Sequence, residues 1–300
     1  MRLLLVFNPY AAHRRARHLL ARVRSALADF ATVDVLESFA PGSAERQVAD
    51  ADLANLDGVV SGGGDGTLFE VLNGLCAHPR EARPALGVVP IGTGNAFARD
   101  LGLAPGDWRK AVDIIRAGRR RTVDLGRVEP AVGGSRAYHF LNIVGAGLPV
   151  DAMRTAEKLK FLGPSAYSLA ALWQALRLRR FCLQIELDGE VLEEDALFVE
   201  LSNTRYTGTS FLMAPKARFD DGLLDMTVVR SMPRGRLLRL FPSIYRGRHV
   251  DYPEVVTRQL RELRIRAPAG LTLAPDGEFR GETPAKVVCL PQALEIFAQP

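Results

Sequence analysis

Along the first third of the chain, apolar positions alternate between two periods. Leu3–Phe7, Thr32–Glu37, Gly58–Ser61 and Leu86–Pro90 read as β-strands. The stretches Ala11–Phe30, Ser43–Ala54 and Thr67–Cys76 between them read as helices, as do Ala96–Leu101 and Trp108–Ala117 beyond them. In Ala11–Phe30, Leu19, Leu20, Val23 and Leu27 fall at helical spacing, while Arg14, Arg15, Arg17, Arg22 and Arg24 lie mostly elsewhere on the wheel. This alternation predicts a mostly parallel sheet covered by helices.

After Arg119-Arg120-Arg121 the pattern changes. Thr122–Glu129, Ala137–Val144, Cys182–Leu187, Ala196–Ser202, Gly222–Val229, Leu263–Ala267 and Lys286–Leu290 read as strands separated by turns, which suggests an antiparallel sandwich. Helical stretches interrupt the series near Ala166–Arg179 and Arg234–Arg246. Within the first of these, Leu169, Leu172, Trp173 and Leu176 share one stripe, read as core-facing or as the wall of a lipid pocket. The fold class expected is therefore α/β, with domains at 1–124 and 125–290 and a tail at about 291–300 that returns to the first domain.

Composition narrows the class without choosing a function. With 300 residues, 47% hydrophobic and 24% charged, the chain has the ordinary globular mixture and length enough for two cores. The longest apolar runs fall well short of the roughly 20 residues that span a bilayer. The Met1–Phe7 run is too short for the core of a signal peptide, so a cytoplasmic protein is expected. Cys76, Cys182 and Cys289 are odd in number and widely spaced, and the five histidines show no ligand or nucleophile spacing. The formal charge of +5 favours anionic partners. No nucleic-acid module or aromatic platform accompanies it, so no nucleic-acid partner is expected.

Chemistry concentrates in the loops after the early strands. Val60-Ser61-Gly62-Gly63-Gly64-Asp65-Gly66-Thr67 sets glycines between a strand and a helix, where backbone N–H groups and the helix N-terminus favour a polyanion. Asp65 suits a magnesium–water cluster or a ribose, and Thr67 a helix cap or a phosphate. Neither a P-loop lysine nor dinucleotide-fingerprint spacing is present. Pro90-Ile91-Gly92-Thr93-Gly94-Asn95 and Asn8-Pro9-Tyr10-Ala11-Ala12 follow two other strands. Three such loops would converge at the carboxyl edge of a parallel sheet, where ligands of open α/β folds bind.

The order Asn8-Pro9, Gly63-Gly64-Asp65-Gly66-Thr67, Pro90-Ile91-Gly92-Thr93-Gly94-Asn95 and Pro275-Asp276-Gly277-Glu278 resembles the diacylglycerol kinase catalytic-domain family, which includes bacterial lipid kinases and sphingosine kinases. The Gly-Gly-Asp-Gly-Thr element alone is shared with NAD kinases and resembles phosphofructokinase loops. The resemblance implies a doubly wound, NAD-kinase-like first domain that binds ATP, and a β-sandwich second domain facing it across a cleft for the lipid headgroup. Carried over by position, Asn8, Gly62, Gly63, Gly64, Asp65, Gly66, Thr67 and Thr93 would contact the nucleotide. Ser38 stands where relatives often have a threonine near it, and Glu70 and Asn95 would support the loops. Asp276 and Glu278 resemble the family's acidic catalytic pair: Glu278 as the base, Asp276 sharing that role or organising metal. Alternation along an extended segment would point both to one side. Arg218, Asp221 and Leu223 resemble a structural magnesium site, the aspartate giving a carboxylate and the other two backbone carbonyls.

ATP and Mg2+ are thus the implied cofactors, and phospholipid metabolism the implied setting. The implied substrate is a lipid met at a membrane surface, with room for a homodimer and for peripheral contact at the inner face. Pro233–Arg248 mixes arginines with Leu, Phe, Ile and Tyr, and reads either as a packed surface helix or as a segment lying on an anionic membrane. Tyr10, Phe69 and Ala96 depart from the usual bacterial pattern, and Gly94-Asn95-Ala96 resembles sphingosine kinases, which leaves the acceptor open between diacylglycerol, a sphingoid base and related lipids. The alternatives are an NAD kinase and a non-catalytic nucleotide- or lipid-binding regulator.

Overall fold

The computed structural model describes residues 1–12, 15–131, 136–159, 166–187, 189–208 and 210–299. The chain divides into two compact units: Met1–Leu125 together with the segment from Pro291 onward, and Gly126–Leu290.

The first unit contains β1 (Arg2–Phe7), α1 (Leu20–Ala28), β2 (Thr32–Glu37), α2 (Ser43–Ala49), β3 (Gly58–Gly63), α3 (Asp65–Cys76), β4 (Ala85–Pro90), α4 (Ala96–Asp100) and α5 (Trp108–Ala117). The strands lie in the order β4-β3-β1-β2 and all four are parallel. Leu5, for example, pairs with Val35 on one side and Val60 on the other. β3 and β4 are buried along their whole length and β1 beyond Arg2, which is why the sequence shows continuous apolar runs there rather than alternation.

The long helix expected at Ala11–Phe30 is instead a 3-10 turn at Arg15–His18 followed by α1, while His13 and Arg14 lie outside the described residues. No acidic residue occupies the first turn of α1. Extending the helix back through the arginines would place positive charge at the positive end of its dipole. α2 stops at Ala49 rather than Ala54, where Asp50 follows and the Asp52 carboxylate accepts the Ala54 N–H in a local turn.

Strand β5 (Arg120–Pro130) carries the chain into the second unit, followed by β6 (Tyr138–Phe140), β7 (Ile143–Gly147), α6 (Leu148–Lys158) and α7 (Ala166–Arg177). Next come β8 (Phe181–Leu187), β9 (Glu190–Ser202), β10 (Tyr206–Thr207), β11 (Phe211–Leu212), β12 (Leu224–Arg230) and α8 (Arg234–Ile244). The unit ends with β13 (Val255–Leu260), β14 (Glu262–Ala267), β15 (Leu273–Pro275) and β16 (Ala285–Phe297), whose end runs back into the first unit, where Ile296 pairs with Leu86. Pairing inside this unit is antiparallel. β9 ties it together: its first half pairs with β8, and its second half lies between β12 and β7. Val199 and Leu201 of β9 join one core with Leu183, Ile185, Val228 and Leu263. Phe198 faces the other way, into a second core with Phe211, Met213, Leu237 and Leu240 beneath α8.

Five elements, α6, β10, β11, β13 and β15, were not expected from the pattern. The single strand expected at Ala137–Val144 is broken into β6 and β7. The stripe Leu169, Leu172, Trp173 and Leu176 on α7 is also corrected: these side chains are 41–52% exposed, and Ala170, Ala171 and Ala175 are buried instead. Helical spacing defines a stripe but not the side it faces, and small alanines let α7 pack closely on the face opposite the large residues. On α8, by contrast, Leu237, Leu240 and Ile244 are buried while Arg234, Arg236 and Arg239 face solvent, so the Pro233–Arg248 stretch is a packed surface helix.

Candidate functional site

Because β1, β3 and β4 are parallel, the loops that follow them leave the sheet at one edge. The Asn8 N–H donates to the Gly62 carbonyl (2.9 Å), and its Nδ2 donates to Thr67 Oγ1 (3.0 Å). The Ile91 and Gly92 N–H groups both donate to the Gly63 carbonyl at 2.9 Å. A Cβ on Gly63 would lie 2.4 Å from Thr67 Oγ1, and one on Gly92 2.4 Å from the Gly64 Cα. The two glycine loops therefore touch backbone to backbone, an approach no other residue permits at these positions. α3 begins after Gly64 in extended conformation, with Gly66 and Thr67 in its first turn and no side-chain cap. Its first-turn amides form a donor set suited to phosphate oxygens. Thr93 sits exposed on the neighbouring loop.

Two acids of α3 hold this arrangement. The Asp65 oxygens accept the N–H groups of Asn95 (2.8 Å) and Ala96 (2.7 Å), which caps α4 from a different loop. Asn95 adopts a left-handed φ of 55°, and its Nδ2 donates to the Gly92 carbonyl. Burial pushes the Asp65 carboxyl up to about 6, against the lowering effect of these amides and of Arg99. One turn on, the Glu70 oxygens accept Gly42 N–H (2.7 Å) and Ala44 N–H (3.0 Å) at the start of α2. Ser43 Oγ accepts from Phe39 and Ala40, and Ser38, itself buried, donates its N–H to the Phe7 carbonyl. Asn8, Ser38, the 62–67 segment, Glu70, Thr93 and Asn95 thus form one loop system. Within it the two acids spend their oxygens on backbone amides, where the sequence suggested a metal or ribose role for Asp65.

In the second unit, Pro275–Glu278 forms a tight turn in which the Glu278 N–H donates to the Pro275 carbonyl (2.8 Å). Asp276 and Gly277 have φ of 45° and 89°, the positive pair that type I′ turns require and that Asp-Gly favours. The expected extended segment, with both acids alternating to one side, is therefore not what forms. Asp276 is buried and accepts the N–H groups of Leu141 (2.8 Å), Asn142 (2.8 Å) and Ile143 (3.0 Å), which is what breaks β6 from β7. Glu278, at the far end of the turn, is half-exposed.

At the third sequence-derived site, Asp221 Oδ1 accepts the Leu223 N–H (3.0 Å) around Gly222, whose φ is 75°. Arg218 is exposed and its Nε lies 3.5 Å from Asp220. Burial raises the nearby Asp225 carboxyl, Gln259 opposes this, and the Asp221 charge adds to it. Among the described residues no cluster of three or more His, Cys, Asp or Glu side chains could hold a metal ion. Sequence reasoning missed Glu200, a fully buried acid on β9. Its signal was present, as the one charged residue inside the apolar Ala196–Ser202 run.

Residues 2–128 match the diacylglycerol kinase catalytic domain, and residues 142–298 match the YegS C-terminal NAD kinase beta sandwich-like domain. The chain belongs to the diacylglycerol kinase family. A diacylglycerol kinase of Mycobacterium tuberculosis (strain ATCC 25618 / H37Rv) is 32% identical over 97% of this chain and 93% of its own length. One from Staphylococcus carnosus (strain TM300) is 33% identical over 80% and 76%. The crystal structure of a diacylglycerol kinase from Bacillus anthracis str. Sterne superposes with a TM-score of 0.81 at 26% identity, covering 100% of this chain and 97% of that one.

Proposed function

We propose that this chain is an ATP-dependent lipid kinase that transfers the γ-phosphate to the hydroxyl of diacylglycerol, a sphingoid base or a related lipid. One observation carries the nucleotide half of the reading: the glycine cradle at the uncapped N-terminus of α3, pinned to the neighbouring loop through Asp65. Domain 1–124 with the tail at about 291–300 then binds ATP, and domain 125–290 binds the lipid. The amides of Gly62–Thr67, the Asn8 and Thr67 side chains, and Thr93 hold the phosphates and ribose, while Ser38, Glu70 and Asn95 shape the loops. The relatives' names support the acceptor class.

In the transfer, the bond from the γ-phosphorus to the ADP oxygen breaks, a bond to the lipid oxygen forms, and the hydroxyl proton passes to a base. Glu278 is that base, and Asp276 fixes the turn that presents it. Such a reaction needs positioning and charge neutralisation more than covalent help. Magnesium, when bound, spreads the phosphate charge, and Asp221 with the Arg218 and Leu223 carbonyls would hold a separate, structural magnesium ion.

Membrane contact is assigned to α7, whose exposed row Leu169, Leu172, Trp173 and Leu176 borders exposed Arg177 and Arg179. Apolar residues entering the acyl boundary beside arginines at the headgroups suit an anionic surface. None of the described helices is long and apolar enough to cross a membrane; the contact assigned to α7 is a peripheral one, at the inner face of the membrane.

The test is transfer of labelled γ-phosphate from magnesium-ATP to a panel of diacylglycerol, monoacylglycerol, ceramide, sphingosine and NAD, with the lipids presented in anionic vesicles. Labelled lipid is the expected product. Label on NAD moves the assignment to an NAD kinase, and ATP binding without transfer to any acceptor moves it to a regulator.

A further inference from the structure

The turn that carries Glu278 rests on a short segment with no regular structure of its own. Leu141 and Asn142 lie between β6 and β7, and both are buried. Asp276 answers the amides here: its Oδ2 accepts the Leu141 N–H and its Oδ1 those of Asn142 and Ile143. The carbonyls are answered by two residues just beyond the end of β9. Asn203 Nδ2 donates to the Leu141 carbonyl (2.8 Å), and the Asn203 N–H donates to the Asn142 carbonyl (2.7 Å). The Thr204 N–H donates to the same Asn142 carbonyl (3.3 Å), and its hydroxyl donates to Asn142 Oδ1 (3.2 Å).

Three strand ends meet at this point. β7 lies between β9 and β15, with Ile143 opposite Ser202 and Val144 opposite Pro275. The Asp276 N–H continues the ladder by donating to the Ile143 carbonyl (2.8 Å). Asn203 and Asp276 therefore grip Leu141 from two sides, one at its carbonyl and one at its N–H, from 62 and 135 residues away in sequence. Leu141, Asn203 and Thr204 are at most 1% exposed, so solvent is poorly placed to replace a lost partner. A polar side chain buried this deeply costs stability unless it is paired, and an apolar residue would fill the same space without that cost. The bonds that Asn203 and Thr204 make in return end on the frame of the Glu278 turn.

We propose that Asn203, with Thr204 beside it, is a positioning residue for phosphoryl transfer. It fixes Leu141 and Asn142, through them the Asp276 turn, and through that turn the Glu278 carboxylate. A base works only within hydrogen-bond reach of the proton it takes, and a displacement of about 1 Å can cost about 10²-fold in rate. The inference rests on Glu278 being the base of the proposed function and adds the residues that set its place.

The test is a double-mutant cycle on the full chain, read as initial rates of labelled phosphate transfer to the acceptor of the panel above that the wild-type chain labels fastest. Asn203→Ala is expected to lower kcat at least about tenfold while the KM for magnesium-ATP stays within about twofold. In the Glu278→Gln background the same substitution is expected to change the rate by less than about twofold, because the group it positions is already gone. Thr204→Val keeps the shape, removes the hydroxyl and guards against a folding failure of the first variant; it is expected to lower kcat about threefold, and Thr204→Ser to restore it. Amide hydrogen exchange gives a readout independent of turnover: Asn203→Ala should speed exchange at Leu141, Asp276 and Glu278 about tenfold and leave Leu183 and Ile185 of β8 unchanged. An unchanged kcat in both Asn203→Ala and Thr204→Val, an equal fall in the wild-type and Glu278→Gln backgrounds, or unchanged exchange at Asp276 and Glu278 overturns this inference alone. A wild-type chain that labels no acceptor, or Glu278→Gln at the wild-type rate, overturns the proposed function and this inference with it.

Discussion

Asp65 and Glu200 are both acids whose carboxyls burial pushes upward, and their surroundings treat them in opposite ways. In the first unit each Asp65 oxygen accepts a backbone amide, and the carboxyl settles at about 6. In the second unit one Glu200 oxygen receives hydroxyls while the other has no partner among the described residues, and burial pushes the carboxyl up to about 7. The contrast separates acids whose two oxygens are both answered by amides from one left half-satisfied among the described residues. Asp65, Glu70 and Asp276 all answer amides from a different segment, which makes them the fasteners of loops that have no regular structure of their own.

The contrast breaks most visibly at Asp276. Asp276→Ala strips the acceptor from three N–H groups, and at about 1–3 kcal/mol for each unpaired buried group the second unit should lose more than about 3 kcal/mol. Chemical denaturation followed in that unit checks this; a loss below about 1 kcal/mol would show that water replaces the carboxylate freely. Glu200 should behave oppositely. Its folded-state carboxyl is raised from 4.5 to about 7, so the fold favours the protonated form, and the stability this gives is present below pH 4.5 and lost as pH rises through 7. Glu200→Gln has no proton to lose, so its stability advantage should grow from near zero at pH 4 to about 3 kcal/mol at pH 8, from about 1.36 kcal/mol per pKa unit. A difference that stays flat across that range would contradict the burial assigned to this acid.

Asp65→Ala comes next, at about 2 kcal/mol of lost stability, together with weaker nucleotide binding as the Asn95 loop separates from the Gly63–Gly64 loop. Calorimetric titration with magnesium-ATP reads the second effect, and unchanged affinity would detach Asp65 from the cradle. Thr93→Ala should change stability by less than about 0.5 kcal/mol, since the residue is exposed, while still weakening ATP binding. A large stability loss there would mean that its hydroxyl is structural.

How much of this could be read from the residues follows from what sets each feature. Strands β1, β3 and β4 were legible because strands buried on both faces are written as unbroken apolar runs, and the partly exposed edge strand Thr32–Glu37 and the helix Trp108–Ala117 also fall on the observed bounds. The glycine loops were legible because Gly63 and Gly92 answer a local demand, the close approach of two backbones. What Asp65 and Asp276 do was not, since their partners lie 30 and about 134 residues away in sequence, and no local spacing encodes such a pairing. The exposed stripe on α7 was misread for a related reason: a helix with alanines on one side and leucines on the other can turn either side inward. Glu200 carried a signal, a charge amid apolar residues, but which oxygen would stay without a partner among the described residues depended on Thr207 and on Gly145 opposite.

We assign the chemistry to Glu278 and the shaping of the turn that presents it to Asp276. The measurement is the initial rate of labelled phosphate transfer to vesicle-borne lipid for Glu278→Gln, taken beside its thermal unfolding. The rate should fall by about 10²–10⁴-fold with the unfolding temperature and ATP affinity unchanged. A variant that transfers phosphate within a few-fold of the wild-type rate would contradict this assignment.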